Sequence, residues 1–430
     1  MTYQSLYEHL HQLINYNDVV PLDEKTNLYN FDFSSNAEHI LPGQSDYTCP
    51  EHDFSIKMEQ EFENKIHNPL QSLNLPDKQF SENQHFRYHI FHQPNKGKAK
   101  EVILLFHGFN EKNWDKYLPW AKRLNEQTGK AVLLFPIAFH MNRAPAEWSD
   151  RRIMYPVATE RNADFPHIQC CTLFNVAISL RLHLRPQRFI YSGLQTFYDV
   201  VKLIDEIRED KHSIIAQDAT FDIFAYSIGC LLAEILIMSN PKHYFERSRT
   251  FMFCGGPVFN RLSPVSKFIL DSETNVALYS FIVEHLENYL QKDPLLAHYL
   301  GEQHPEGIFF RSMLNYSFYR KFREDTFAKI GKRIMAVGLE KDVVIPSYEI
   351  VNTLKGVKHD LPATVEVWDF PYPYKHEDPF PVQSKFPEDV NEQFEKLMEK
   401  AAKFFNEQNK LADFFYEGGF AEWFRKFIKF

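Results

Sequence analysis

The sequence predicts an α/β fold with a mainly parallel central sheet flanked by helices. Short apolar runs, each bounded by turn or polar residues, recur along the chain and are typical of strands buried on both faces. Helical patterns lie between most of these runs. Buried strands that alternate with helices favour a parallel sheet covered on each side.

Six segments are predicted to form this sheet. In chain order they are EVILLF (101–106), AVLLF (131–135), FDIFA (221–225), TFMFC (250–254), RIMAVG (333–338) and TVEVWDF (364–370). Helical patterns are KYLPWAKRLNEQTG after the first strand, TFYDVVKLIDEIRED before the third and SYEIVNTLKG after the fifth.

Two connections, from Phe135 to Phe221 and from Cys254 to Arg333, are much longer than a simple helical crossover of roughly 30 residues. We expect insertions at about 137–195 and 257–330, leaving the sheet at the edge where such sheets bind ligands and forming a largely helical cap. A peripheral subdomain without catalytic contact is the alternative. Residues 1–84 are expected to be an N-terminal extension that packs on a core domain of 85–430.

Composition narrows the function classes. The net charge of −9 argues against nucleic-acid binding, which needs a basic excess. No apolar segment approaches the roughly 18 residues of a spanning helix, and the N-terminus lacks a signal-peptide pattern, so we expect a cytoplasmic protein without stable membrane insertion. The aromatic and basic segment 414–430 could dock on its own domain, on a partner or on a membrane surface.

The cysteines predict neither disulfides nor a metal site. Five of them are scattered along the chain without a CxxC pair, and no HExxH, Walker A or GxGxxG motif is present. We expect reduced, mostly buried thiols, no metal and no organic cofactor.

The segment DIFAYSIGC (222–230) points to a nucleophile. Ser227 lies between a predicted strand and an apolar helix, with Ala225 two residues before it and Gly229 two residues after it. Small residues at those positions allow the sharp turn that presents a nucleophilic serine, although Ala replaces the more usual first Gly. The helix that follows would direct the backbone N–H of Ile228 toward an oxyanion.

Three further segments complete a candidate site. HGFN (107–110) follows the first strand, and its glycine lets the N–H of Phe109 or Asn110 face the serine, while His107 is expected to be structural. Asp342 follows the fifth strand, and His376 lies in a Pro-rich loop beyond the sixth. All of these groups are expected at one edge of the sheet.

These residues resemble the α/β-hydrolase superfamily of serine esterases and lipases. The resemblance rests on the HG turn, AYSIG, KDVVIP (341–346) and His376, in the chain order Ser, Asp, His; it covers roughly 85–255 and 330–405. NRAPAEW (142–148) and YKHEDPFP (374–381) also resemble an uncharacterised bacterial branch of that superfamily, which supplies no substrate.

The resemblance implies acyl transfer to water. Ser227 would attack a carbonyl, His376 would take its proton, Asp342 would orient the imidazolium, and the N–H groups of Ile228 and Phe109 would bind the oxyanion. Glu340 is the alternative acid and His359 the alternative base, although His359 precedes the last strand instead of following it.

Specificity is less constrained by the sequence. Arg143 could clamp a substrate anion beside Trp148, or tie its loop to nearby acids such as Glu147 and Asp150. The leading hypothesis is a serine hydrolase acting on a small-molecule carboxylic ester, with peptidase or thioesterase activity as variants. A non-catalytic protein that binds a ligand or partner is the hypothesis from another class.

Overall fold

The computed structural model describes residues 1–13, 17–41, 46–57 and 75–407; the segment 414–430 lies outside them. Within the described residues the main sheet has nine strands, and a separate hairpin has two. The strands are β1 (Val19–Pro21), β2 (Asn27–Ser34), β3 (Asp46–Thr48), β4 (Ser55–Lys57), β5 (His85–His92), β6 (Ala99–Phe106), β7 (Ala131–Leu134), β8 (Ile215–Tyr226), β9 (Thr250–Phe253), β10 (Ile334–Leu339) and β11 (Thr364–Trp368).

Helices cover both faces of the sheet and fill the two long connections. They are α1 (Tyr3–Leu13), α2 (Ser81–Gln84), α3 (Tyr117–Thr128), α4 (Arg151–Asp164), α5 (Val176–Leu184), α6 (Arg188–Arg208), α7 (Gly229–Ser239), α8 (Ser272–Ser280), α9 (Leu286–Leu290), α10 (Pro294–Tyr299), α11 (Pro305–Leu314), α12 (Arg320–Ile330), α13 (Ser347–Leu354) and α14 (Pro387–Asn406). A π-helical turn, Phe281–His285, joins α8 to α9.

The predicted α/β class is confirmed. The strand order is β1-β2-β5-β7-β6-β8-β9-β10-β11, and the six strands from β7 to β11 in that order pair in parallel. These six correspond to the six predicted segments. Since β8, β9, β10 and β11 are neighbours, their carboxyl ends lie side by side at one edge of the sheet.

The strands at the other lateral border of the sheet, beyond β7, pair in antiparallel fashion. Strand β5 pairs antiparallel with β7 and with β2, and β2 pairs antiparallel with β1. Both β1 and β2 belong to the segment 1–84, which the sequence suggested only as an extension packing on the core. Within the described part of that segment, β1 and β2 extend the sheet, because β2 is hydrogen-bonded to β5 and β1 to β2.

The core lies on both faces of the sheet. Alternate residues of β6 point to opposite sides, so Leu104 joins one cluster of buried side chains and Leu105 joins the other. This double burial explains why the central strands are nearly continuous apolar runs. In the part of the chain that the structure describes, no helix has the length and apolar character needed to span a membrane.

Candidate active site

Ser227 lies in a strained turn between β8 and α7. Its φ is +55°, a left-handed conformation that is unfavourable for a residue with a side chain. The turn brings the next helix against the end of β6: a Cβ on Gly229 would lie 2.8 Å from the carbonyl oxygens of Phe106 and His107. A glycine at position 229 is therefore required by this close approach.

Three polar side chains form a continuous hydrogen-bonded chain at the edge of the sheet. Ser227 Oγ lies 2.7 Å from His376 Nε2, and His376 Nδ1 lies 2.7 Å from Asp342 Oδ2. All three residues are buried. They follow the carboxyl ends of β8, β11 and β10 respectively, so the parallel sheet brings together groups that are far apart in sequence.

The loop after β10 orients the carboxylate. Asp342 Oδ1 accepts hydrogen bonds of 2.9 Å from the backbone N–H groups of Val344 and Ile345, which leaves Oδ2 facing His376. A carboxylate there favours the tautomer with a proton on Nδ1. His376 Nε2 is then the acceptor for the hydroxyl proton of Ser227.

The alternative acid and base lie elsewhere. Glu340 is exposed, and its backbone N–H donates to the carbonyl of Trp368 at the end of β11. His359 is exposed in the segment between α13 and β11. Among the described contacts, the acid next to His376 is Asp342.

The loop that carries the histidine is held on several sides. The ring of His376 stacks on Tyr226 with a centroid distance of 5.5 Å, and the Tyr226 hydroxyl donates to the His376 carbonyl. The Glu377 carbonyl accepts from Lys116 Nζ at 2.9 Å, and its carboxylate accepts from the hydroxyl of Ser266 in the second insertion. The histidine is thus fixed by the core and by an inserted segment together.

The two residues predicted to supply oxyanion donors line the space beside the serine. Phe109 and Ile228 line the same cavity as Ser227. In the described part of the chain, neither of their N–H groups donates to a protein acceptor. Backbone N–H groups that are directed at a developing oxyanion can bind it.

Asn110 has a different place. Its φ is +58°, and its side-chain amide donates to the carbonyls of Phe174 at 3.0 Å and Phe268 at 2.6 Å. These two residues belong to the first and second insertions. Asn110 therefore ties both insertions to the loop after β6, while Phe109 is the residue of that loop that lines the cavity.

His107 supports the same loop. Its Nε2 accepts a 2.9 Å hydrogen bond from the N–H of Ile137, so its Nδ1 carries the proton and donates to the Gly108 carbonyl at 2.7 Å. Burial lowers the pKa of His107 to about 4, so the ring is neutral near pH 7. The Gly108 N–H donates to Tyr117 Oη at 2.8 Å, which fixes the turn from a third direction.

The cavity above Ser227 is apolar. The residues around Ser227 come from the core loops and from both insertions. They are Phe109, Phe189, Ile228, Phe259, Leu262, Pro264, Ile269, Leu270, Leu278, Val344 and Ile345. Apart from Phe109 and Ile228, the sequence did not indicate these residues individually, because apolar side chains in insertions and loops resemble ordinary core residues.

A second cavity adjoins the first. The two share Phe109, Phe189 and Ile228 as lining residues. Residues of α6 and α7 contribute to the wall of the second cavity. Besides its apolar side chains, this wall includes four polar ones, those of His140, Arg181, Ser192 and Thr196. The space next to Ser227 is therefore apolar, whereas the adjoining cavity also carries polar groups.

The neighbouring cysteines are unreactive by their environment. Burial raises the pKa of the Cys230 thiol well above its ordinary value. Burial, with a smaller contribution from the negative charge of Asp342, also raises the pKa of the Cys254 thiol well above its ordinary value. Because the thiolate is the nucleophilic form, neither thiol competes with Ser227.

The structure corrects the expectation for Arg143 and Trp148. Arg143 is fully buried, pairs with Asp199 at 2.7 Å, and donates to Asn83 through Nε and Nη2. Its guanidinium also lies 4.0 Å from the ring centroid of Phe86. Trp148 is 1% exposed, and neither residue lines the cavities described above. Arg143 belongs to a buried ion pair whose other member, Asp199, is distant in sequence.

Comparison with solved structures finds esterases at low similarity. Carboxyl esterase 2 from the fungus Tuber melanosporum is 12% identical, with 75% of this chain and 82% of that chain covered and a TM-score of 0.39. A thermostable esterase from Pseudomonas putida is 10% identical over 76% and 81%, with a TM-score of 0.37. The esterase of Pyrobaculum calidifontis is 9% identical over 74% and 82%, with a TM-score of 0.36.

Sequence identities and TM-scores this low do not establish an activity for this chain. No curated protein matches the sequence. A family model does match it, over residues 1–406, which is nearly the whole described length. The chain therefore belongs to DUF6051, a family of unknown function.

Proposed function

We propose that the protein is a serine hydrolase of the α/β-hydrolase fold that cleaves a carboxylic ester with apolar substituents. The observation that carries the proposal is the hydrogen-bonded chain from Ser227 through His376 to Asp342, with a 2.7 Å contact at each step, opening into an apolar cavity. The order of these groups along the chain and their positions after β8, β10 and β11 fit that fold.

The first half of the reaction forms an acyl-enzyme. Ser227 Oγ bonds to the ester carbonyl carbon as its proton passes to His376 Nε2, and Asp342 stabilises the resulting imidazolium. The carbonyl oxygen becomes an oxyanion that the N–H groups of Phe109 and Ile228 bind. The carbon–oxygen bond to the alcohol then breaks, and His376 returns the proton to the leaving alkoxide.

The second half repeats these steps with water. His376 takes a proton from a water molecule, whose oxygen attacks the acyl carbon and forms a second oxyanion. The bond to Ser227 Oγ breaks, the acid leaves, and the serine regains its proton. Every proton that leaves a reactant returns to a product or to Ser227, so no redox partner is required.

The cavity supports a neutral substrate. Apart from Ser227, its lining residues are apolar, and a charged acyl group would lose its hydration there without a partner. The guanidinium of Arg143, which the sequence suggested as an anion clamp, is paired with the Asp199 carboxylate. We therefore assign esters of uncharged, medium-sized acids as the substrate class, with the insertions acting as the cap over the bound ester.

Covalent labelling tests the proposal. A fluorophosphonate probe is expected to label the intact protein at Ser227, identified by peptide mass spectrometry, and to leave Ser227→Ala unlabelled. Ser263→Ala is the matched control, because Ser263 is exposed and lies between the cavity-lining residues Leu262 and Pro264. Ester hydrolysis should fall by roughly 10⁶-fold in Ser227→Ala. Folded protein that stays unlabelled, or a Ser227→Ala variant that retains hydrolysis, would refute it.

A further inference from the structure

A cluster of four potential metal ligands lies outside the candidate active site. Cys49 and His52 lie in the turn of the β3–β4 hairpin, His298 lies in α10, and His304 precedes α11. Cys49, His298 and His304 are buried, and His52 is partly buried. None of the four lines the cavity above Ser227, so the cluster stands apart from the proposed hydrolysis.

The ligand atoms converge on one point. All four lie within 4.8 Å of one another. Cys49 Sγ is 3.5 Å from His52 Nδ1 and 3.7 Å from His304 Nε2, and His304 Nε2 is 3.0 Å from His298 Nε2. For a tetrahedral zinc ion, the usual bond lengths give about 3.6 Å between sulfur and nitrogen and about 3.4 Å between two nitrogens. The two observed sulfur–nitrogen distances lie on either side of the expected value, and the observed nitrogen–nitrogen distance is about 0.4 Å shorter than expected, so the ligands would have to move slightly apart around the ion.

The surroundings orient the ligands. His304 Nδ1 lies 2.9 Å from Glu306 Oε1 and 2.8 Å from Tyr198 Oη, so the carboxylate holds a proton on Nδ1 and leaves the Nε2 lone pair facing the cluster. A carboxylate behind a histidine is a frequent outer partner of metal-bound imidazoles. The ring of His298 is stacked on Phe54 at a centroid distance of 3.9 Å and an angle of 3°.

Hydrogen bonding alone satisfies this arrangement poorly. His304 Nε2 has one lone pair, yet both His298 Nε2 and Cys49 Sγ lie close enough to donate to it. The rings of His52 and His298 each cross the His304 ring at a steep angle, 76° and 85°. Several donor atoms around a single acceptor compete, whereas a central cation accepts electron pairs from all four.

We propose that Cys49, His52, His298 and His304 bind one zinc ion. Sulfur and imidazole nitrogen are the ligands that zinc prefers, and tetrahedral coordination suits them. On binding, the Cys49 thiol releases its proton to solvent and the thiolate sulfur bonds to the ion. Four protein ligands leave no open position for water or substrate, so the site is structural.

The ion would fasten the N-terminal hairpin to the second insertion. Strands β3 and β4 have three residues each and form a sheet of their own, and such hairpins are marginally stable in isolation. A metal bridge from this hairpin to α10 and α11 closes a loop of about 250 residues, which restricts the unfolded chain. Zinc therefore stabilises the packing of the hairpin on the segment that contributes to the cap.

Metal analysis of the full chain tests the site. Protein produced without a polyhistidine tag, incubated with zinc sulfate and passed through a desalting column, should retain about one zinc per chain by mass spectrometry. Cobalt loading should give a thiolate-to-metal charge-transfer band. Cys49→Ser should abolish that band even where histidines still hold some metal, and Cys49→Ser/His304→Ala should lose the metal. Cys170→Ser is the matched control, since Cys170 lies outside the cluster.

Stability measurements give a second readout. A chelator should lower the melting temperature of the intact protein and leave that of Cys49→Ser/His304→Ala unchanged. Intact protein that retains no zinc and gives no cobalt band would overturn the proposal, as would equal zinc content in the double variant. Fluorophosphonate labelling of Ser227 in the same samples keeps this result separate from the proposed hydrolase activity.

Discussion

Replacing Asp342 with Asn should nearly abolish ester hydrolysis while leaving the shape of the site intact. The two N–H groups that donate to Oδ1, those of Val344 and Ile345, require an acceptor at that position. The Asn carbonyl oxygen would take it, and the amide NH₂ would then face His376. An NH₂ group can only donate, so Nδ1 must become the acceptor and Nε2 must carry the proton.

That tautomer cannot accept the proton of Ser227. The 2.7 Å contact at Nε2 would persist with its direction reversed, because the ring nitrogen would now donate to the hydroxyl oxygen. The carboxylate charge that stabilises the imidazolium would also be lost. A comparable change in a serine protease triad lowers kcat by about 10⁴-fold, which corresponds to roughly 5 kcal/mol of transition-state stabilisation.

The assay is kcat and KM for a short-chain p-nitrophenyl ester, with circular dichroism and thermal melting to verify folding. Glu340→Gln is the matched control: it makes the same carboxylate-to-amide change two residues earlier, on an exposed side chain. We expect kcat to be unchanged within about twofold in Glu340→Gln. Asp342→Asn with a kcat within tenfold of the intact protein, or an equal loss in Glu340→Gln, would refute the assigned roles.

Three further predictions concern stability and specificity. The free energy of unfolding should fall as the pH decreases from about 6.5 toward 4. Burial lowers the folded-state pKa of His89, His107 and His212 to about 4, so on acidification these histidines are protonated in the unfolded chain before they are protonated in the folded protein. Denaturant titrations at several pH values measure this change. Arg143→Met should lower the free energy of unfolding by roughly 3 to 5 kcal/mol, because it leaves the buried Asp199 carboxylate unpaired. The KM of the folded fraction should be unchanged. In denaturant titrations, Arg143→Met/Asp199→Leu should recover part of the lost stability. Leu278→Trp should fill the cavity and lower kcat/KM for hexanoyl esters at least tenfold more than for acetyl esters, whereas Val276→Trp, 62% exposed on the same helix, should change neither.

The sequence predicted the central sheet because its strands are buried on both faces. Runs such as EVILLF leave little ambiguity, and all six predicted strands are present. Strand β5, HFRYHIFH, was missed because its histidines and arginine interrupt the apolar pattern. Strands β1 and β2 were missed because they are short or mix polar with aromatic residues at one border of the sheet, where only part of each strand is buried.

Single residues were harder to interpret than strands. Arg143 follows a strand near the candidate site, and sequence alone offered a substrate or the local acids as its partner. The observed partner, Asp199, lies on α6, and the pairing depends on how the first insertion folds back on the sheet. A charge in a loop gives no signal of a partner that is more than fifty residues away.

The candidate triad and the metal cluster differ in how much of their geometry the sequence carries. Each triad residue follows a predicted strand, so the parallel sheet implies their meeting before any contact is known. Cys49 and His52 are separated by two residues, a spacing that ligands of one metal ion can have. His298 and His304, however, lie in an insertion, where no predicted strand fixes their position. The absence of a CxxC pair therefore excluded only metal sites whose ligands lie close together in sequence. A site that joins two extensions of the fold becomes recognisable only once those extensions are packed, which is also why its loss should loosen them first.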